Sequence, residues 1–438
     1  MSVDRPLEGR RVLILIEDGS FPLDSRVRRQ AASLTSAGMR VSVVCPRYRG
    51  QRFTETVGEV AVYRYPVIQL ESFAGHLLEY GISLFMMFTL ACFIRYRRGF
   101  DVIHACNPPD LLFLVALPFR LLGTKFLFDH HDLCPELYVA RFGRPGSLMY
   151  RLMLAAERLS IRTADVVVST NESYRQRMIE RAGSNPDKTI VVRNGPDLGT
   201  FSPAEGGREE LCPAGVTTLV GYVGNMNTQD GVDYLLRAIA ELSRRGRRDI
   251  GAVLVGSGDA RPALDALCQE LHLEDRVRFT GRIDDAALRR ALTACDLCVQ
   301  PDPSNPLNDV STMNKVMEYM ALGKPLVAFD LIETRVSAGE AALYAEPNRV
   351  ESYANQIERL ADDPDLRQRM GRIGRQRVED ELAWHHQEAS LWQAYAALWN
   401  LTMPAAASKG TSEPASVNAQ DAPSLSRGRK SVQVSGSR

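Results

Sequence analysis

Residues 314–329 read NKVMEYMALGKPLVAF. The spacing predicts a helix over 312–322, stopped by Gly323, and then a short buried strand over 325–328. Glu318 sits among Val316, Met317, Tyr319 and Met320. A lone carboxylate in that company is costly unless something pairs with it. A helix that opens from a loop offers its first amides to an anion, whereas Lys315 in the first turn opposes the helix dipole. A bound anion accounts for Lys315. On these residues alone, a solvated lysine and a glutamate facing water account for the pair equally well.

The same helix-and-strand alternation runs outward through the chain. Upstream, strands are expected over 12–16, 40–45, 60–65, 101–105, 125–128, 166–169 and 189–192, with helices over 24–37, from about 108, and over 148–162. Asn194-Gly195-Pro196 breaks the pattern, and the Gly- and Pro-rich stretch 199–216 reads as a boundary. A second unit has strands over 218–223, 251–255, 276–279, 297–299 and 325–328. Its helices cover 232–244, 262–271, 285–294 and 312–322, and the rest is mostly helical, ending over 384–400. Such alternation implies right-handed crossovers and parallel sheets. The fold class is α/β, with two doubly wound Rossmann-like domains facing across a cleft. Ligands of such sheets bind at the carboxyl ends of the strands. The expected domains are 10–194, 195–383, a C-terminal helix 384–402 packing back on the first, and a disordered tail, 403–438.

The tail follows from composition: it contains no Phe, Trp or Tyr, too little apolar surface to offset ordering entropy. The 438 residues carry 53 Lys plus Arg against 53 Asp plus Glu. That balance argues against nucleic acid as a partner, since phosphate neutralisation needs excess basic charge. The eight cysteines form no disulfide framework, and Cys295 and Cys298 read as buried thiols rather than a metal pair. The N-terminus lacks an apolar signal core, so the expected location is the cytoplasm.

Residues 82–94 run without a charge and are followed by Arg95, Arg97 and Arg98. A span needs about 20 apolar residues, so this run is too short. Two readings stand: 82–98 meets an anionic membrane at its inner face, or it is a buried connecting helix capped by cations.

The stretch 314–325 resembles the donor-nucleotide motif of family 4 of the retaining GT-B glycosyltransferases. Val191 to Asp197, Gly221 to Gly224, Gly231 to Leu236, Leu254 to Gly258, Phe279 to Arg282 and Cys295 to Pro301 follow the family's order. The resemblance implies a GT-B fold. It also implies transfer of a sugar from a nucleotide-sugar donor, of the UDP or GDP kind, to a glycan or lipid-linked acceptor. Configuration would be retained, with no metal and no cofactor, and the setting would be cell-surface polysaccharide or glycolipid synthesis. By that resemblance Glu318 holds the ribose hydroxyls, and His131, after the fifth strand, orients the sugar or the departing phosphate. Asp24, Arg26 and His130 would belong to the cleft loops of the acceptor lobe, with Arg26 reaching for the phosphate. His104 reads as structural.

Two departures from the family follow. Asn225 and Asp230 stand where it carries an Arg and a Lys for the diphosphate. Lys315 and the amides from Ser311 to Asn314 are the expected substitutes, with Gly224 lining the loop and Arg282 and Arg193 in reserve. Val310 stands where the first of two paired glutamates belongs, and Asp309 is expected to replace it. Two other readings are a nucleotide-sugar epimerase of GT-B shape and a catalytically silent nucleotide-sugar-binding module. A nicotinamide oxidoreductase is disfavoured, since no strand is followed by a complete GxGxxG.

Overall fold

The computed structural model describes residues 6–68 and 73–403. Apart from Met403, the expected tail lies outside them. The first sheet comprises β1 (Arg11–Ile16), β2 (Arg40–Arg47), β3 (Thr54–Val57), β4 (Val60–Pro66), β5 (Val102–Cys106), β6 (Lys125–His130), β7 (Val166–Ser169) and β8 (Thr189–Val191). Their spatial order is β3-β4-β2-β1-β5-β6-β7-β8. Its helices are α1 (Ser25–Ser36), α2 (Phe73–Arg97), α3 (Phe113–Leu121), α4 (Cys134–Phe142), α5 (Leu148–Thr163) and α6 (Glu172–Ala182).

The second sheet runs β11-β10-β9-β12-β13-β14. Its strands are β9 (Thr218–Val223), β10 (Ile250–Val255), β11 (Val277–Gly281), β12 (Leu297–Gln300), β13 (Leu326–Phe329) and β14 (Ala342–Ala345). The helices after β8 are α7 (Arg208–Leu211), α8 (Val232–Arg244), α9 (Arg261–Glu270), α10 (Asp285–Ala294), α11 (Asn314–Ala321), α12 (Ile332–Ala338), α13 (Val350–Asp362), α14 (Pro364–Arg377) and α15 (Trp384–Ala397).

Strands buried on both faces read as continuous apolar runs, and β1 does so because each face is covered. Leu13 and Leu15 pack with Met87, Ala91 and Ile94 of α2 and with Phe119 of α3. Val12 and Ile14 pack with Val27 and Leu34 of α1 and with Leu391 of α15. The last helix thus crosses back onto the first lobe, as expected. Trp384 Nε1 donates to Ser33 Oγ at 2.8 Å, and Trp392 Nε1 to the Ser33 carbonyl at 3.0 Å. The two chain crossings between the lobes touch. The Trp384 amide donates to the Pro196 carbonyl at 2.9 Å, and a Cβ on Gly195 would stand 2.1 Å from the Leu382 carbonyl oxygen.

Several elements differ from the sequence reading, the helices α4 and α6 among them as unforeseen additions. β3 pairs antiparallel with β4, so the first sheet is not wholly parallel. β14 adds an unforeseen parallel edge beside β13, where only helix was expected. The donor-motif helix starts at Asn314 rather than Thr312, because Asn171 Nδ2 holds Val310 O and Thr312 Oγ1, each at 2.9 Å, in an extended approach. α2 extends over 25 residues. It packs on the sheet through Met87, Ala91 and Ile94, with Leu84, Met86, Phe88 and Leu90 partly buried beside them, and leaves Leu78, Tyr80, Phe85, Phe93 and Tyr96 exposed, so it connects β4 to β5 without being wholly buried.

Candidate active site

The carboxyl ends of both sheets open on one cavity of about 560 Å³. Ile16, Asn107, His131 and Thr170 follow or end β1, β5, β6 and β7. From the other lobe come Val223 to Asn225 at the end of β9, Asp302 after β12, and Met313, Asn314, Lys315 and Glu318 at the start of α11. A size of this order suits a small-molecule ligand.

On the second lobe, Gly224 has φ 154, and a Cβ there would meet the Tyr222 hydroxyl at 2.9 Å. The bare backbone therefore approaches the cavity. No side chain caps α11, so its first amides are available to an anion. Ser311, Asn314 and Asn225 line the wall. Asp230 also lines it, but its carboxylate accepts from the Asn227 amide at 2.9 Å and closes a local turn. Burial raises the Asp230 carboxyl above its ordinary value.

Lys315 is buried, with its ammonium donating to both Asp302 oxygens at 2.8 and 3.1 Å and lying 5.0 Å from the Tyr222 ring centre. Burial works against its charge. Asp302, Tyr222 and Asp230 nevertheless hold the ammonium above the usual lysine value. One turn on, Glu318 reaches the cavity and has no hydrogen bond or ion pair among the described residues. Burial pushes its carboxyl up to about 7, against Arg29 and Lys315, which favour ionisation.

On the first lobe, β6 runs two residues further than the sequence reading, to His130. Successive side chains of a strand face opposite ways, and this decides three assignments. Asp129 turns into the layer beneath α1. Arg26 grips it bidentately (Nε 2.8 Å, Nη2 2.7 Å), and Gln30 Nε2 donates at 2.8 Å. Arg26 Nη1 continues to the Val192 carbonyl at 3.0 Å and Asn194 Oδ1 at 2.6 Å. Arg26 still lines the cavity, as expected of a cleft-loop residue, but its guanidinium is engaged by these scaffold groups rather than held free for a phosphate. His130 is fully buried on the opposite face, with Nε2 3.1 Å from Glu157 Oε1. That corrects its place in the cleft. Burial opposes its charge, but Glu157 holds the imidazole above its ordinary value.

His131, the first residue past the strand, does line the cavity, with Nδ1 3.8 Å from Asp129 Oδ2. Burial opposes its protonation, but Asp129 raises its pKa. Asn107 Oδ1 fixes the turn by accepting the His131 and Asp132 amides at 2.8 and 3.1 Å. Asp24 also lines the cavity while capping α1, accepting from the Val27 amide at 2.9 Å. His104 is buried against Tyr395, Nδ1 to hydroxyl at 2.7 Å, as the structural reading requires. With Cys106 and Asp129 it forms a compact group of potential metal donors. Arg26 and Gln30 already occupy that Asp129.

Three expected donor residues lie outside the cavity. Arg193 is engaged by Glu333 at 3.4 Å, and Arg282 is exposed beyond the lining. Asp309 falls outside because the turn 308–310 directs Asn308 and Ser311 to the wall instead. Asp302 and Asn308 were missed. Position was the available signal for Asp302, two residues past a buried strand end. A direct seam joins the lobes beside the cavity: Asn171 to Val310 and Thr312, and the Tyr174 hydroxyl 2.8 Å from Ser311 Oγ.

Residues 217–363 match the family described as glycosyl transferases group 1, and residues 23–195 the glycosyl transferase 4-like domain. An alpha-D-kanosaminyltransferase from Streptomyces kanamyceticus is 32% identical over 63% of this chain and 72% of its own length. A 2-deoxystreptamine glucosyltransferase from the same organism is 26% identical over 82% of this chain and 95% of its own. Among solved structures, a sucrose-phosphate synthase from Thermosynechococcus elongatus superposes with TM-score 0.75 at 22% identity, over 89% of this chain and 99% of that one. Anabaena HepE in complex with UDP-glucose gives TM-score 0.66 at 17% identity, over 88% and 99%. These likenesses, with two largely parallel sheets opening on one cleft, establish the GT-B fold.

Proposed function

The chain belongs to the group 1 glycosyltransferases, and from that premise we propose that it is a retaining, family 4 enzyme moving a sugar from a UDP- or GDP-type donor to a glycan or lipid-linked acceptor. The reading rests above all on Glu318, a carboxylate on the cavity wall beside the open start of α11, with no partner among the described residues. Ionised, it can accept two ribose hydroxyls and so clamp the pentose. The diphosphate then lies over the first amides of α11, with Gly224, Asn225, Ser311 and Asn314 around it. Charge develops on that diphosphate as the sugar leaves, and fixed donors aimed there stabilise it. Lys315 supplies the cation, held ready by Asp302. No metal is required on this reading. His131, on the facing lobe, orients the sugar. The acceptor approaches past Asp24, and the product serves cell-surface polysaccharide or glycolipid synthesis. The enzyme works in the cytoplasm at the inner face of the cell membrane, which residues 82–98 would meet.

The test is a thermal-shift panel of UDP-, GDP-, ADP- and dTDP-sugars, since a ligand that binds only the folded state raises the melting temperature. One nucleotide class should give a shift that Glu318→Ala abolishes without loss of fold. A shift unchanged in that variant would remove the ribose clamp.

A further inference from the structure

Of the twenty large apolar residues exposed among the described residues, thirteen fall between Leu78 and Leu159. They lie on four consecutive helices, α2 to α5. Phe85 is 67% exposed, Leu121 81%, Leu122 73%, Phe142 63% and Leu148 74%. The opposite sides of α2, α3 and α5 are already used: Met87, Ala91, Ile94, Phe119 and Ile161 are buried on the sheet. These helices are therefore apolar on both faces. A helix apolar all round belongs inside a protein or against lipid, yet only 17% of the most apolar window of α2 is buried.

The charges on this face have one sign. Every exposed charged residue between 78 and 162 is an arginine, among them Arg95, Arg97, Arg98, Arg144, Arg151 and Arg158. The acids of the same span are turned inward or partly covered: Glu136 and Glu157 are buried against Arg181, and Asp101 is held by Arg11. A broad apolar surface rimmed by cations complements an anionic bilayer, whose headgroups meet the arginines while its chains cover the leucines. Because Met87, Ala91 and Ile94 pin α2 to the sheet, the helix lies in the interface and does not cross it.

The face also reaches the cavity. Leu133 and Leu137 line the cavity at the start of α4, and Phe142 ends the same helix in the open. Glu17, next to the cavity residue Asp18, lies beside Ser83 of α2.

Resting on the function proposed above, we propose that α2 to α5 together form a monotopic docking face for an anionic bilayer. It seats the acceptor lobe so that the headgroup of a membrane-anchored acceptor rises straight into the cavity. This surface is wider than residues 82–98, since it takes in the exposed leucines of α3 and α5.

The experiment uses the full chain with vesicles of phosphatidylcholine alone or with about a third phosphatidylglycerol. The protein should sediment with the anionic vesicles only. Raising salt from 0.05 to 0.5 M should weaken the association, because exposed charges are screened. Leu121→Ser with Leu122→Ser should reduce binding at least tenfold, as should Arg144→Ser with Arg151→Ser, each with an unchanged melting temperature. Nucleotide-sugar thermal shifts, measured on the same samples, report the donor site separately. Shifts without sedimentation overturn the docking face and leave the transferase reading standing; the reverse result overturns the donor site alone. Sedimentation indifferent to all four substitutions overturns the face, as does a dimer in analytical ultracentrifugation that Leu121→Ser with Leu122→Ser dissolves.

Discussion

Replacing Glu318 by glutamine should make the empty enzyme more stable and the loaded enzyme worse. Burial holds this carboxyl at about 7 against an ordinary 4.5. The folded protein therefore binds the proton more tightly than the unfolded chain. The stability tied to that proton is complete below pH 4.5 and is lost as pH rises through about 7. A shift of this size corresponds to roughly 3 kcal/mol, an upper figure because the side chain is partly open to the cleft. Glutamine stays neutral throughout. Near pH 5 the two proteins should melt alike, and by pH 8 Glu318→Gln should be the more stable, by up to about 8 °C for a lobe of this size. Arg29, Lys315 and Asp285 face the same carboxyl and are present in both proteins, so the difference curve isolates Glu318. Donor binding should move the other way. Losing a charged acceptor for two hydroxyls costs about 1.5–3 kcal/mol per hydrogen bond, so affinity should fall about a hundredfold or more. Calorimetric melting across pH 5–8 and donor titration by isothermal calorimetry measure the two halves. Coincident melting curves at pH 8 together with unaltered donor affinity would refute both the burial argument and the clamp.

Asp302→Asn leaves a buried lysine without its carboxylate and should cost about 3–5 kcal/mol of stability. Pairing Asp302→Leu with Lys315→Met should restore most of that stability by denaturant melting while donor binding stays lost. Asn171→Asp keeps the acceptor that caps α6 at Tyr174 but removes the amide donors to Val310 and Thr312. Donor KM should rise about tenfold, the effect of roughly 1.4 kcal/mol, and the melting temperature should fall, because a buried carboxylate oxygen then faces the Val310 carbonyl. His131→Ala should lower kcat about a hundredfold through lost orientation and leave stability intact. His130→Ala should instead destabilise the fold by about 2 kcal/mol and so lower the melting temperature, because a buried acid loses a partner.

The order of elements was legible because both sheets are covered on two faces and so write themselves as apolar runs. β9, α8 and α10 fall on their expected residues for that reason. Glu318 was legible by position, on an apolar helix opening to the cleft; position past a buried strand marked His130 and His131 alike, and the family resemblance alone singled out His131. The placements of Arg26 and His130 were not legible. Whether an arginine faces a ligand or an internal acid depends on a residue 103 positions away, and no local spacing encodes that. His130 was misplaced by two residues of strand length, since one step along a strand reverses the face. β3 escaped notice because its alternately exposed TETV is an edge with little apolar content. Asp302 was hidden for a different reason: the sequence shows Lys315 as an unmatched cation, and only the meeting of β12 and α11 supplies its partner.

The touching backbones at Gly195 and Leu382 set how this enzyme can breathe. A neck of two separated strands would let the lobes rock in several directions. Two cords crossing with no room for a single methyl between them leave one pivot, so any rocking of the lobes would have to turn about this crossing.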